Sequence, residues 1–287
     1  MANDQGTFLA YRNWVEEEGV TFTTDETAVT DRTVENLATT KADNFWRFNV
    51  GTASSDSESG ESYECYDASG SVVIDFGELR DVDVMTVQFP RGVYPGVSES
   101  NPVFAATDKI EWRLLDDLDQ EIYASGLVDS GVEIGYMVAY HETPVTITAR
   151  KMEVYFLATS RADDGFCDVG TVGAWPKVEP NVGFAYPAGF GWRTNTENNR
   201  TPAGKLYTAR FDPLRRWSLS FDALSNAESL LFDEFVRFGG GARQVFVKRG
   251  DLPEGKNAMH AIQLRGRDID SITATLRQAS FTFEEFI

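Results

Sequence analysis

Hydrophobic and polar positions alternate in short runs over most of this chain. Trp217, Leu219 and Phe221 alternate with Ser218, Ser220 and Asp222, the period-2 pattern of a half-buried strand. Ser225 with Glu228 three residues on fits a capping box, so the chain is predicted to turn directly from this strand into a helix. Leu230, Leu231, Phe235 and Phe238 recur at helical spacing and give that helix one apolar face. Gly239, Gly240 and Gly241 then stop it.

Elsewhere the same alternation predicts strands at residues 72–76 and 82–89, with a turn between them. Residues 109–115 alternate again before the acidic turn at Asp116, and residues 145–157 supply two more strand-like runs. Short strands separated by turns at this spacing point to an antiparallel sandwich. Phe45 and Trp46 read as core plugs, with Arg47 beside them as a partner for a buried carboxylate. Pro176 and Pro180 interrupt any regular element, which puts a domain boundary near 176. Beyond it, residues 194–204 read as a polar loop or bulged hairpin, and strands are predicted at 206–211, 244–248, 261–267 and 272–283. With the helix, these make a compact α+β unit. The resulting division is an N-terminal arm and first strand at 1–35, a sandwich at 36–175 and the α+β unit at 176–287.

Composition adds one strong asymmetry. Residues 1–175 hold 11 Lys and Arg against 32 Asp and Glu, whereas residues 176–287 hold 15 against 13. So acidic a first part repels nucleic acid and anionic membrane surfaces, and no nucleic-acid partner and no membrane insertion are expected. A solvated acidic surface that favours solubility is the simpler reading of the same charge. The first residues show no basic stretch followed by an apolar one, so a soluble protein without an export signal is expected. Cys65 and Cys167 are far apart and lack metal-ligand spacing; they are expected to be ordinary thiols, with a disulfide as the other option.

Candidate chemistry is sparse. His141 and His260 are the two histidines, and neither neighbours a nucleophile motif. The Gly239–Gly241 run precedes a strand rather than a helix and offers no phosphate cradle. The acidic stretch 54–62, the cluster Asp116, Asp117, Asp119 and Glu121, and the pair Asp163 and Asp164 read as solvated turns, with weak divalent-cation binding as the alternative. Among 45 acidic residues no glycosidase pair can be singled out. No catalytic residue, cofactor or metal ligand is therefore assigned, and the chain is expected not to be an enzyme.

Two resemblances follow from particular residues. Asn36-Leu-Ala, Phe45-Trp-Arg, Val73-Ile-Asp-Phe-Gly-Glu-Leu, Val84-Met-Thr-Val and Thr148-Ala-Arg-Lys-Met-Glu-Val-Tyr-Phe, in that order, resemble a galactose-binding-like, discoidin-type jelly roll over residues 30–175. Members of that fold often bind sugars or phospholipid headgroups through loops at one end. The second covers residue 30 to the end. Val169-Gly-Thr-Val-Gly-Ala-Trp-Pro, Arg215-Arg-Trp-Ser-Leu-Ser-Phe, Leu224-Ser-Asn-Ala-Glu and Val245-Phe-Val resemble tailed-bacteriophage tail proteins. That resemblance implies a structural component of a tail tip or baseplate, found in the virion and assembled in the host cytoplasm. Its implied partners are other tail proteins (tube, hub or fibre) and further copies of itself. Arg215, Arg216, Trp217, Phe235 and Phe238 are then the interface candidates, although the two arginines read equally well as an exposed strand start. The alternative function is a carbohydrate-binding module contacting a host surface glycan, which predicts exposed aromatics such as Tyr94 or Tyr136 at one end of the sandwich.

Overall fold

The computed structural model describes residues 6–24, 33–38, 46–49, 54–55, 64–90, 108–133, 136–161, 166–181, 185–193, 196–200, 206–210, 213–239, 243–266, 270–271 and 276–285. The fold is mainly β, with antiparallel pairing in its ladders and one α-helix among the described residues. Two compact units result. One comprises residues 10–177 with 252–258; the other comprises 1–9, 178–251 and 259–287.

The first unit is the predicted sandwich. Its frame is two long strands, Glu64–Gln88 and Val138–Arg161, paired antiparallel from Tyr66 opposite Arg161 to Gln88 opposite Val138. The expected turn at 77–81 is therefore a bulge inside one strand, because the segments on both sides pair with the same neighbour. Gly77 makes the bulge possible: its φ is +78° and its N–H donates to Asp75 Oδ1 at 2.8 Å. The two runs predicted within 145–157 likewise belong to one strand. Thr171–Trp175 lies beside Glu64–Gln88, while Lys109–Leu115 and then the edge strand Glu121–Ala124 lie beyond Val138–Arg161. Burial alternates over residues 71–76 but is continuous over 82–89, so the second half of that strand is covered on both faces. Trp46 and Phe89 both meet Phe156 edge-on, at 6.4 and 6.3 Å between ring centroids, and Trp112 is buried in the same core. Each such side chain contributes roughly 1.5–3 kcal/mol by leaving water. Phe45 and the side chain of Arg47 lie outside the described residues.

The segment read as an N-terminal arm is divided between the units. Phe8 packs against Phe246 of the second unit at 6.0 Å. From residue 10 onward the chain belongs to the sandwich. There Asn13 caps the short 3-10 turn Trp14–Glu16 and its Oδ1 also accepts from Ala174 N at 3.1 Å. Trp14 donates to the Asp81 carbonyl at 2.7 Å.

The second unit is an α+β domain. Its sheet runs in the order Lys177–Val178, Phe8–Ala10, Gln244–Lys248, Ala258–Gly266, Arg277–Glu285, Leu214–Leu224, Ala185–Arg193. Trp217, Leu219 and Phe221 face inward as their alternation requires, as do Ala279, Phe281 and Phe283 on the paired strand. The capping box forms in both directions: Ser225 N donates to Glu228 Oε2 at 2.8 Å and Glu228 N donates to Ser225 Oγ at 3.2 Å. The helix, Asn226–Gly239, buries a different stripe from the one its spacing suggested. Phe232 stacks on Phe281 at 5.4 Å and Phe235 meets it edge-on at 5.2 Å, whereas Leu230 and Leu231 are exposed. Both phenylalanines fit the aromatic layer of the sheet, and choosing them turns 230 and 231 outward. Within the segment read as a polar loop or bulged hairpin, Thr196–Arg200 pairs antiparallel with Leu206–Arg210, and residues 194–195 and 201–204 lie outside the described residues.

Candidate functional site

Around Tyr136 the sandwich unit gathers an aromatic ring and several hydrogen-bonding groups at its surface. The short turn before the Val138–Arg161 strand is closed by Tyr136 N and Met137 N, both donating to the Glu133 carbonyl. Against it lies the segment 252–258, which belongs to this unit although it sits far along the chain. Lys256 Nζ reaches Glu133 Oε2 at 3.0 Å and stands 5.7 Å from the centroid of the Tyr136 ring. One position further on, Asn257 Nδ2 donates to Tyr140 Oη at 3.0 Å. The hydrogen bond to Glu133 raises the Lys256 pKa, so its ammonium stays protonated and available as a donor.

Gly255 explains how the two segments approach so closely. Its φ is +81°, and a Cβ there would lie 2.8 Å from Glu133 Cγ and 2.9 Å from the Gly131 carbonyl. The product is a half-buried tyrosine flanked by a carboxylate and an ammonium, with the buried Asn257 amide fixing Tyr140 behind them. Such a set offers an apolar ring face and several directional hydrogen bonds, the combination that fixes a polyhydroxylated ligand. Sequence spacing indicated Tyr136 alone. Lys256 joins it only through tertiary contact, and Gly255 is the one local signal of a close approach.

The remaining candidates are dispersed. Tyr94 lies outside the described residues, as do Asp163, Asp164 and the side chains of Cys65 and Cys167. Of the interface candidates, Arg215, Trp217 and Phe235 are interior residues. Their positions on the inward face of the strand and helix preclude contact with a partner. Arg215 donates from Nε to Glu285 Oε1 at 2.6 Å and from its backbone N to Glu285 Oε2 at 3.0 Å. Arg216, on the opposite face, is exposed, and Phe238 is half-buried with the Arg243 guanidinium 4.3 Å from its ring. Among the described residues, the large exposed aromatics of this unit are two that the sequence pattern did not single out: Phe190 and Trp192, edge-on at 6.3 Å on the terminal strand.

The histidines are placed differently from one another. His141 Nε2 lies 2.6 Å from Tyr123 Oη, and burial lowers its pKa. His260 is enclosed, edge-on to Phe246 at 5.4 Å, with its pKa lowered to about 3 by burial and, secondarily, by the Arg215 charge. The Asp116 turn is held from within, Asp116 Oδ1 accepting from Leu118 N and Gln120 N.

No family model matches the sequence. No curated protein matches it either. Among solved structures, the chain is similar to the lectin domain of lectinolysin complexed with Lewis B antigen, at 11% identity and a TM-score of 0.40 over 58% of this chain and 98% of that one. It is similar to the family 32 carbohydrate-binding module of NanJ from C. perfringens in complex with galactose, at 10% identity and a TM-score of 0.39, covering 58% and 99%. It is also similar to a Ruminococcus gnavus GH29 fucosidase in complex with fucose, at 14% identity and a TM-score of 0.40, covering 58% of this chain and 27% of the fucosidase.

Proposed function

We propose that this chain is a non-enzymatic recognition protein whose sandwich unit binds a carbohydrate at the Tyr136 cluster. The observation that carries the reading is the convergence of the Tyr136 ring with Lys256 and Glu133 at the surface of one unit. A sugar has apolar C–H faces and paired hydroxyls. The ring accommodates the first, and the ammonium–carboxylate pair answers the second with charge-assisted hydrogen bonds. Lys256 and Glu133 already satisfy each other, so the ligand replaces a solvated pair rather than exposing a buried charge.

A glycan array probed with the full chain tests this, and it should include galactose- and fucose-terminated glycans and Lewis b. Binding is expected, and Tyr136→Ala should weaken it at least about tenfold, the loss typical of an anchoring aromatic. An array without signal, or binding indifferent to Tyr136→Ala and Lys256→Ala, overturns the assignment.

A second reading is a structural component of a bacteriophage tail tip that docks through its C-terminal unit and presents the acidic sandwich. Support for it comes from the exposed Phe190 and Trp192 on a sheet edge. Sedimentation with purified tube, hub or fibre proteins decides it, since a chain that stays behind in every mixture removes that reading.

A further inference from the structure

We propose that Tyr140 is a positioning residue for the Tyr136 cluster: its hydroxyl latches the segment 252–258 in place and so holds the Lys256 ammonium beside the Tyr136 ring. The proposal rests on the carbohydrate reading for what the cluster binds. All of its groups belong to the sandwich unit.

Gly255, Lys256 and Asn257 contribute to the contact in different ways. Gly255 leaves room for the approach, since a Cβ there would collide with Glu133 and the Gly131 carbonyl. Room permits a contact without supplying any attraction. Lys256 and Glu133 attract each other, but their side chains are 42% and 40% exposed, so water screens the pair and it holds the segment weakly. Asn257 is only 6% exposed. Its Nδ2 donates to Tyr140 Oη at 3.0 Å, and its Oδ1 accepts from the same hydroxyl at 3.4 Å. An amide buried to this extent has given up its water, so the presence of a protein partner decides whether the segment stays.

Tyr140 is well placed to be that partner. It stands on the interior strand Val138–Arg161, opposite Thr86, whose Oγ1 accepts from the Trp175 indole N–H at 2.8 Å. Gly173, on the other side of Thr86, keeps that space clear: a Cβ there would lie 2.6 Å from Thr86 Oγ1. The same stretch of chain carries Tyr136, in the turn that leads into the strand. Ring and latch therefore share one frame. Lys256 is the residue before Asn257, so fixing the Asn257 amide fixes where the ammonium emerges relative to the Tyr136 ring.

Amide hydrogen exchange on the full chain, without ligand, tests the latch. Lys256 N donates to the Pro253 carbonyl at 3.1 Å, so its exchange reports whether the turn is in place. Tyr140→Phe keeps the ring and removes the hydroxyl. The amides of residues 254–257 should then exchange about five- to thirtyfold faster, while those of Val138–Arg161 keep their wild-type rates. Asn257→Ala breaks the same bond from the other side and should release the same amides, with the double variant releasing them no further. For a glycan that the wild type binds, Tyr140→Phe should weaken binding at least about threefold as the competent fraction falls. In a Lys256→Ala background it should weaken binding no further, because Tyr140 acts through Lys256. Unchanged exchange at 254–257, faster exchange spread evenly over the sandwich strands, or losses that add to those of Lys256→Ala overturn the proposal. A wild type that binds no glycan overturns the carbohydrate reading alone, and the ligand-free exchange then upholds or overturns the latch by itself.

Discussion

The two units solve the problem of charge in opposite ways. The sandwich unit, residues 10–177 and 252–258, holds 13 Lys and Arg against 32 Asp and Glu, so the whole net charge of −19 resides there. The ion pairs seen there keep to the surface: Arg113, for example, reaches Glu111, Glu121 and Glu153 across an outward strand face. The second unit holds 13 of each sign and is neutral, yet it encloses the charges that matter most. Arg215 and Glu285 have no exposed side-chain surface, Arg249 pairs with Asp251 nearly out of solvent, and the Trp217 ring lies within cation–π distance of both arginines. Net charge therefore locates where charge is counted and says little about where it acts. In the acidic unit each pair is screened by water, whereas in the neutral one each stands against a desolvation penalty.

The largest effect should come from unpairing the buried ion pair. Glu285→Ala leaves the Arg215 guanidinium enclosed without its carboxylate, which costs about 3–5 kcal/mol. The sandwich counterpart, Glu153→Ala, removes one half-exposed partner of Arg113 and should cost within about 1 kcal/mol. Chemical unfolding followed by hydrogen exchange, which reports the Leu214–Leu224 amides separately from those of the sandwich, measures both. Equal losses in the two variants would dissolve the distinction between the units.

A smaller effect comes from pH. Burial lowers the His260 pKa to about 3, with the nearby Arg215 charge adding to it. The unfolded side chain titrates near its ordinary value of about 6.5. Between these values the unfolded chain binds a proton that the folded one does not, so stability rises with pH across the window and is complete above it. The slope is about 1.4 kcal/mol per pH unit, which amounts to roughly 2–3 kcal/mol between pH 6.5 and 4.5. His260→Phe keeps a ring against Phe246 and abolishes this contribution. Comparing wild type and variant at the two pH values cancels the carboxylates common to both, and identical pH profiles would contradict the buried neutral histidine.

How much of this is legible in the sequence depends on how local each feature is. The strand 214–224 and its capping box follow from alternation and from a three-residue spacing, and both form as those patterns require. The helix face does not, because Leu230, Leu231, Phe232 and Phe235 allow two stripes and only the phenylalanine layer of the sheet selects between them. At 77–81 alternation suggests a turn where a bulge forms, because Gly77 serves a bulge and a hairpin equally well until the pairing partner is known. Arg215 reads as an outward cation, and what draws it inward is Glu285, seventy residues later. The Tyr136 cluster escapes the sequence for the same reason: its partners arrive from residues 252–258, and no periodicity records that approach. Charge asymmetry, by contrast, survives intact, because it depends on composition rather than on contacts.

Gly255 gives the finest test of how the sandwich unit is held together. A side chain there faces two separate penalties, the strain of φ +81° and collision with Glu133 and the Gly131 carbonyl. Gly126, in the same unit, has φ +67°, and a Cβ added to it would meet no atom within 4 Å, so it carries the strain alone. Gly126→Ala should cost about 1 kcal/mol, and Gly255→Ala about 1–3 kcal/mol because a backbone carbonyl cannot yield as a flexible side chain does. The excess should appear locally, as faster hydrogen exchange at Lys256 and Asn257 and a weaker glycan signal, while the C-terminal unit keeps its own protection. If the two alanine variants lose equal stability, the approach of 252–258 to the Glu133 turn is loose, and the Tyr136 cluster loses the rigidity on which its chemistry depends.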